Sequence, residues 1–262
     1  VMASSVPERV RHLLALAADP AASPSERQTA SHRAAVLMAR HSITGLDPHT
    51  SRTEDVTTRT ITVPGGRSTP SLAQAHAMHH VATAAGAATW YTDHRRWPPP
   101  DQRPCVLVHV VGLGSDLDWL IPLLTTLTTQ TALDWATWRH DHAQAYRDLD
   151  RAGRLTWRNG YVLGYAHAVA DRVRTARQQA IHEQDTTSPD GTPTTALVVR
   201  DRAQQVQDHL ATLNLRPGTA TPTSAWAHHA GHTDGHASGL GTPHNPQVGT
   251  QATHQIQAGA TP

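Results

Sequence analysis

The opening stretch from Pro7 to Ile43 reads PERVRHLLALAADPAASPSERQTASHRAAVLMARHSI, and it constrains the fold more than any other part of the chain because it writes the same helix start twice. Ser5 stands three residues before Glu8, and Ser23 three before Glu26. At that spacing a cap hydroxyl and a returning carboxylate satisfy each other's orphan backbone N–H groups. Pro7 and Pro24 fall in the two first turns, where a missing N–H costs nothing. Val6, Val10, Leu13, Leu14 and Ala17 recur at helical spacing after the first cap, and Ala30, Ala34, Leu37 and Met38 after the second, with Asp19-Pro20 breaking the run between them. So short a connection predicts an antiparallel helical hairpin. Burying one of its large apolar side chains contributes about 1.5–3 kcal/mol, against roughly 1–2 kcal/mol of backbone entropy for every residue ordered. Such a hairpin must dock on something else.

Further along, apolar content collapses from Asp47 to about Thr69, which predicts a linker; the β-branched run Val56 to Val63 leaves an edge strand open within it. A helix is expected from Pro70 to about Ala85, ended by Gly86. Two strands follow, Ala88 to Trp97 and Cys105 to Leu113; the second, CVLVHVVGL, is apolar enough to be covered on both faces. Its end, GLGSDLDW, reads as a strand-to-helix turn with Ser115 as cap and Asp116 and Asp118 complementing the helix dipole. That turn lacks the third glycine of a dinucleotide loop, and its aspartates repel phosphate. One long or once-broken helix is expected from Asp116 to Asp150 and another from Leu155 to His182. ALVVRDRAQQVQDHLATLNL is read as a short strand and a final helix. From Gly218 on, the chain is Gly, Thr, Ala, His and Pro with scarcely a large apolar residue, so disorder is expected, relieved by a helical turn or two around Ala225 to Gly235.

The run ERVRHLLALAADPAASPSERQTASHRAAVLMARHSI resembles the N-terminal signature of domain-of-unknown-function family 2786: an R-x-x-LLALA helix, an acidic-proline break, a Glu-containing start and a closing LMARH-I. The resemblance continues more weakly through VVGLGSDLDWL, RLTWRNGYVLGYAHAVADRV and HHAGHTDGHASGLG. It implies a bacterial, phage or mobile-element setting and an organisation, and it brings no catalytic residues with it.

Composition excludes more than it assigns. A formal charge of +1 over 262 residues exerts no global pull on nucleic acid. All 22 basic residues are arginine and there is no phenylalanine, the drift of a GC-rich, actinobacterial type of genome, which also supplies many of the 20 histidines without a chemical reason. No segment approaches the roughly 18 apolar residues of a membrane span. VMASSVPERV has no basic head before an apolar core, so neither a membrane nor a secretory signal is expected, and the protein is read as cytoplasmic. Cys105, within its apolar run, is read as a buried structural thiol.

Three constellations bear on chemistry. Between Asp134 and Arg177, arginines including Arg151, Arg154, Arg158 and Arg172 interleave with Trp135, Trp138, Tyr146, Trp157, Tyr161 and Tyr165. Arginines neutralise and fork onto phosphates while aromatic faces stack exposed bases, so Arg151, Arg154, Arg158, Arg172, Trp157 and Tyr161 are the candidate nucleic-acid contacts. The competing reading places the aromatics in the core and pairs the arginines with Asp134, Asp141, Asp148, Asp150 and Asp171. A metal-dependent hydrolase is the alternative, with His140, His142, His167 and Asp171; only His167 and Asp171 share a helical face. A hydrolytic serine is not indicated, since no G-x-S-x-G occurs.

The expectation is therefore an α+β, mostly helical chain: a helical hairpin at 1–46, a linker with an optional edge strand at 47–69, helices around a small sheet at 70–217 and a His/Gly/Thr tail at 218–262. Its expected function is non-enzymatic nucleic-acid association in a mobile element or its bacterial host, with no cofactor. A protein partner docked on the hairpin is the third reading.

Overall fold

The computed structural model describes residues 6–17, 19, 21–23, 26, 30, 33–34, 37, 54–65, 70–100, 103–186, 194–238 and 240. Its elements are α1 (Val6–Ala17), β1 (Val56–Pro64), α2 (Pro70–Ala84), β2 (Ala88–Asp93), β3 (Cys105–Leu113), α3 (Gly114–Asp141), α4 (Ala143–Asp148), α5 (Arg151–Thr186), α6 (Thr194–Ala211) and α7 (Ala225–Ala237). The chain is mostly helical, with a small antiparallel sheet.

The strand order is β1-β3-β2. β3 is central, running from Cys105 opposite Pro64 to Leu113 opposite Val56, and Val111 faces Ala88 on its other side. Its near-continuous burial follows from cover on both faces. Val106, Val108 and Val110 enter the main core, while Val111 packs with Ala88 and with Val206 of α6. The optional edge strand is present as β1. ALVVRDRAQQVQDHLATLNL contains no strand: it is helical through Ala211, and this puts Val206 and Leu210, four apart on one face, against the sheet.

α2 begins at Pro70 and closes in a Schellman turn, the Ala87 N–H reaching the Ala82 carbonyl at 2.9 Å around Gly86, whose φ is 88°. Expectation and structure part at the start of α3. Ser115 is not its cap: the helix begins at Gly114, and the carboxylate of Glu54 accepts the Ser115 N–H at 2.6 Å and its hydroxyl at 2.8 Å. Glu54 also pairs with Arg202 of α6 at 3.0 Å, so an anion supplied by the protein already occupies this helix start. The long helix breaks at His142 and resumes as α4.

At the N-terminus, Ser23 and Glu26 form the reciprocal box: Glu26 accepts the Ser23 N–H at 2.9 Å, and Ser23 Oγ accepts the Glu26 N–H at 3.2 Å. Bonding to Ser23 holds the Glu26 carboxyl below its usual range. α1 docks on α3, and Val10, Leu14 and Ala34 join the main core. The Ser5 cap, Met38 and most of the second arm lie outside the described residues.

The tail departs furthest from expectation. Disorder does not begin at Gly218: residues 218–238 are placed, and α7 packs along α5. The cause is a pair of matched glycine rows. A Cβ on Gly160 or Gly164 of α5 would overlap the carbonyls of Ser224 and His228, and a Cβ on Gly231 or Gly235 of α7 would overlap those of Tyr161 and Tyr165. Backbone meets backbone, so α7 is held although Trp226 is the single large apolar side chain it carries. Residues 241–262 lie outside the described residues.

Candidate nucleic-acid interface

The arginine–aromatic window folds into the end of α3, all of α4 and the start of α5, and α7 adds a side chain that the window lacks. Asp150 caps α5, its carboxylate accepting the Gly153 N–H at 2.7 Å. Three bonds fix the start of α7, two of them to α5 and the third its own N-cap. Ser224 N–H donates to the Thr156 carbonyl at 3.0 Å, Asn159 Nδ2 donates to the Pro222 carbonyl at 3.1 Å, and Ser224 Oγ accepts the Ala227 N–H at 3.4 Å. These place Trp226 beside Trp157, with ring centroids 4.7 Å apart.

The aromatics grade from core to surface. Trp135, Trp138 and Tyr161 are buried, Trp157, Tyr146 and His142 are half-buried, and Trp226 is 49 % exposed. His142 stacks on Trp138 at 4.5 Å, and Trp226 lies 4.9 Å from Trp138 and 5.3 Å from His142. The result is an aromatic ledge with a rigid base and an open outer edge. The guanidinium carbons of Arg139 and Arg154 lie 5.9 and 5.7 Å from the Tyr146 ring centroid.

Each candidate residue has a definite fate. Arg154 is exposed and anchored, donating from Nε to the Tyr146 carbonyl at 3.2 Å and from Nη2 to the Arg147 carbonyl at 2.7 Å. Arg151 and Arg158 are exposed, and Arg158 also lines a cleft with Pro64, Trp135 and Val162. Trp157 is part of the ledge. Tyr161 turns inward, donating to Asp234 at 2.6 Å, and its hydroxyl pKa is raised by burial and by Asp234. Arg172 is buried at the end of α7, where it binds the carbonyls of Leu240 and His236 and the hydroxyl of Ser238. Burial lowers its pKa to about 10, so it stays charged at neutral pH while holding neutral acceptors. Tyr161 and Arg172, two of the candidate nucleic-acid contacts, thus face the core, whereas Arg151, Arg154 and Arg158 are exposed.

The ion pairs among the described residues run elsewhere: Arg59 to Asp118, Arg95 to Asp93, Arg174 to Asp171, and Arg202 to Glu54 and Asp116. None involves Arg139, Arg147, Arg151, Arg154 or Arg158. The nearby acids are engaged locally instead. Asp150 caps its helix, Asp148 accepts from Gln144 at 3.1 Å, and Asp134 accepts from Tyr165 and Gln130.

The hydrolase alternative loses its cluster. His142 belongs to the ledge, its Nδ1 donating to the Trp138 carbonyl at 2.8 Å, and His140, two residues before it, is exposed. His167 instead meets His228 of α7, Nδ1 to Nε2 at 2.9 Å, and stacks edge-on with His80 of α2 at 4.2 Å. Asp171 pairs with Arg174 and lies 4.0 Å from His232. Among the described residues, no three His, Cys, Asp or Glu side chains are placed to hold a metal ion. Burial lowers the pKa of His80 to about 4, helped by the neighbouring histidines, and lowers those of His167 and His228 as well.

Trp226 was missed because composition hides it: one tryptophan in AWAHHAGHTDGHA cannot offset ordering entropy by itself. The available signal was Ser224, an N-cap residue directly before it.

Among known families, the one described as Protein of unknown function (DUF2786) matches residues 5–44, the segment carrying the twin helix starts. No curated protein and no solved structure matches the chain. No described helix is long and apolar enough to cross a membrane.

Proposed function

We propose that this is a non-enzymatic nucleic-acid-associated protein, working in a mobile element or its bacterial host as the N-terminal resemblance suggests. Its contact surface is the end of α3, the outer side of α4 and the start of α5. One observation carries the reading: Arg139, Arg147, Arg151, Arg154 and Arg158 are exposed and, among the described residues, have no carboxylate partner, beside a graded aromatic ledge. An arginine already ion-paired would lose that partner on meeting phosphate, whereas these would release only counterions. In the proposed organisation, residues 1–46 mark the family and pack or dock, and residues 70–217 carry the arginine face.

The test is a titration of the whole chain with DNA and RNA, single- and double-stranded, across salt. Binding should weaken with salt at a logarithmic slope of about 0.7–0.9 per phosphate neutralised. Replacing Arg151 and Arg158 by Gln should make the slope shallower by about one to two such increments. Absence of binding at low salt, or binding indifferent to salt, would exclude the function.

A further inference from the structure

We infer that the ledge bearing Trp226 selects single-stranded nucleic acid over duplex, with the Trp226 ring as the platform for an unpaired base; this rests on the nucleic-acid reading above. The geometry supplies each requirement of such a platform. Trp226 is 49 % exposed although three aromatic rings lie within reach, so its inner side is held while its outer side meets solvent. It sits in the first turn of a helix whose start is bonded to α5 through Ser224 and Asn159. Little rotamer freedom is therefore left to lose on binding. Trp157 and His142 extend the aromatic surface beside it, and Arg139 and Arg154 bracket Tyr146 at its margin.

Strand state follows from the chemistry of the two ligand forms. Within a duplex each base already stacks on its neighbours and offers the protein only edges and phosphates. An unpaired base offers a π-face, and stacking it on an aromatic ring is tolerant of sequence. The outward arginines serve either form, since both carry phosphates. Discrimination must then come from the ledge, and Trp226 is its most exposed ring.

Fluorescence anisotropy with labelled oligothymidine and oligouridine, and with DNA and RNA duplexes of equal length, tests this on the full chain. The wild-type protein should bind single strands at least about tenfold more tightly than duplexes. Trp226→Ala should weaken single-strand binding by roughly 5- to 150-fold, the range for losing one base–aromatic stack, and leave duplex binding unchanged. Trp226→Leu retains an apolar contact to Trp157 without a π-face and should show the same selective loss; Trp226→Phe should restore most of it. Helical content by circular dichroism checks each variant's fold. Equal affinity for both strand states, or single-strand binding untouched in the Ala and Leu variants, overturns the inference and leaves the ledge to a protein partner. In those cases salt-dependent binding would still support the broader function. Absence of binding to every nucleic acid would remove the broader function itself.

Discussion

At Gly164 a Cβ would overlap the His228 carbonyl, and at Gly231 it would overlap the Tyr161 carbonyl. Alanine at a helical glycine ordinarily favours the helix by about 1 kcal/mol, so intrinsic propensity and packing point in opposite directions here. Packing wins, because the obstructing atoms are backbone and cannot swing aside. Gly164→Ala and Gly231→Ala should each destabilise the protein by about 2 kcal/mol, read as a lower urea midpoint. An unchanged or raised midpoint would show that α5 and α7 do not approach so closely. Arginines of the same type diverge just as sharply: Arg172 is sunk among carbonyls, Arg154 is tethered but exposed, and Arg158 is outward. Nothing in their spacing distinguishes them, since each lies on α5 among alternating polar and apolar neighbours. Burial decided it, and burial depends on α7.

Among the elements, α2, α5 and α7 meet at a run of histidines that the chain reads as unrelated. His76, His79 and His80 come from α2, His167 from α5, and His228 and His232 from α7, with Asp171 and Arg174 of α5 as the fixed charges nearby. Burial lowers the folded-state pKa of His80 to about 4 from 6.5, and those of His76, His79, His167 and His228 move the same way. Between pH 6.5 and 4 the unfolded chain therefore binds more protons than the folded one, and stability must fall as pH drops through that window. His80 alone accounts for on the order of 1–3 kcal/mol after allowance for partial solvent screening. Thermal midpoints measured at pH 7.5 and 4.5 should differ, and His80→Gln, which cannot protonate, should narrow the difference. A gap of the same size in the variant would count against this account. The element starts and stops were far easier to read. Pro70, Gly86 and the β3 run appear where local chemistry places them, because a cap, a positive φ and a doubly covered strand each leave a mark within a few residues. Ser115 misled for the complementary reason: its partner, Glu54, is 61 residues away.

For the molecule as a whole, one buried cluster runs from Val10 and Leu14 of α1, through the sheet and α3, to Ala227 of α7 and Leu240. The final helix therefore belongs to the core. A chain ending at Arg216 would bare the glycine row of α5 together with Tyr161 and Tyr165, and strip Arg172 of its acceptors. It should lose the cooperative unfolding transition of the full chain, followed by circular dichroism during heating, and gain affinity for a hydrophobic dye. A sharp transition at the full-length temperature would show that α7 is dispensable. By itself, the sequence determined the helical character, the helix start at Ser23 and Glu26, the central strand, and the region where arginines and aromatics concentrate. These depend on periodicity and capping, which act over one or two turns. Only the tertiary structure decided that α7 is ordered, that Trp226 completes the ledge, that Tyr161 and Arg172 turn inward, and that the metal candidates do not assemble. Those outcomes rest on contacts between residues some 60 to 70 positions apart, such as Asn159 with Pro222 and Arg172 with Leu240. Two glycine rows leave no local trace of being complementary until the backbones are brought together.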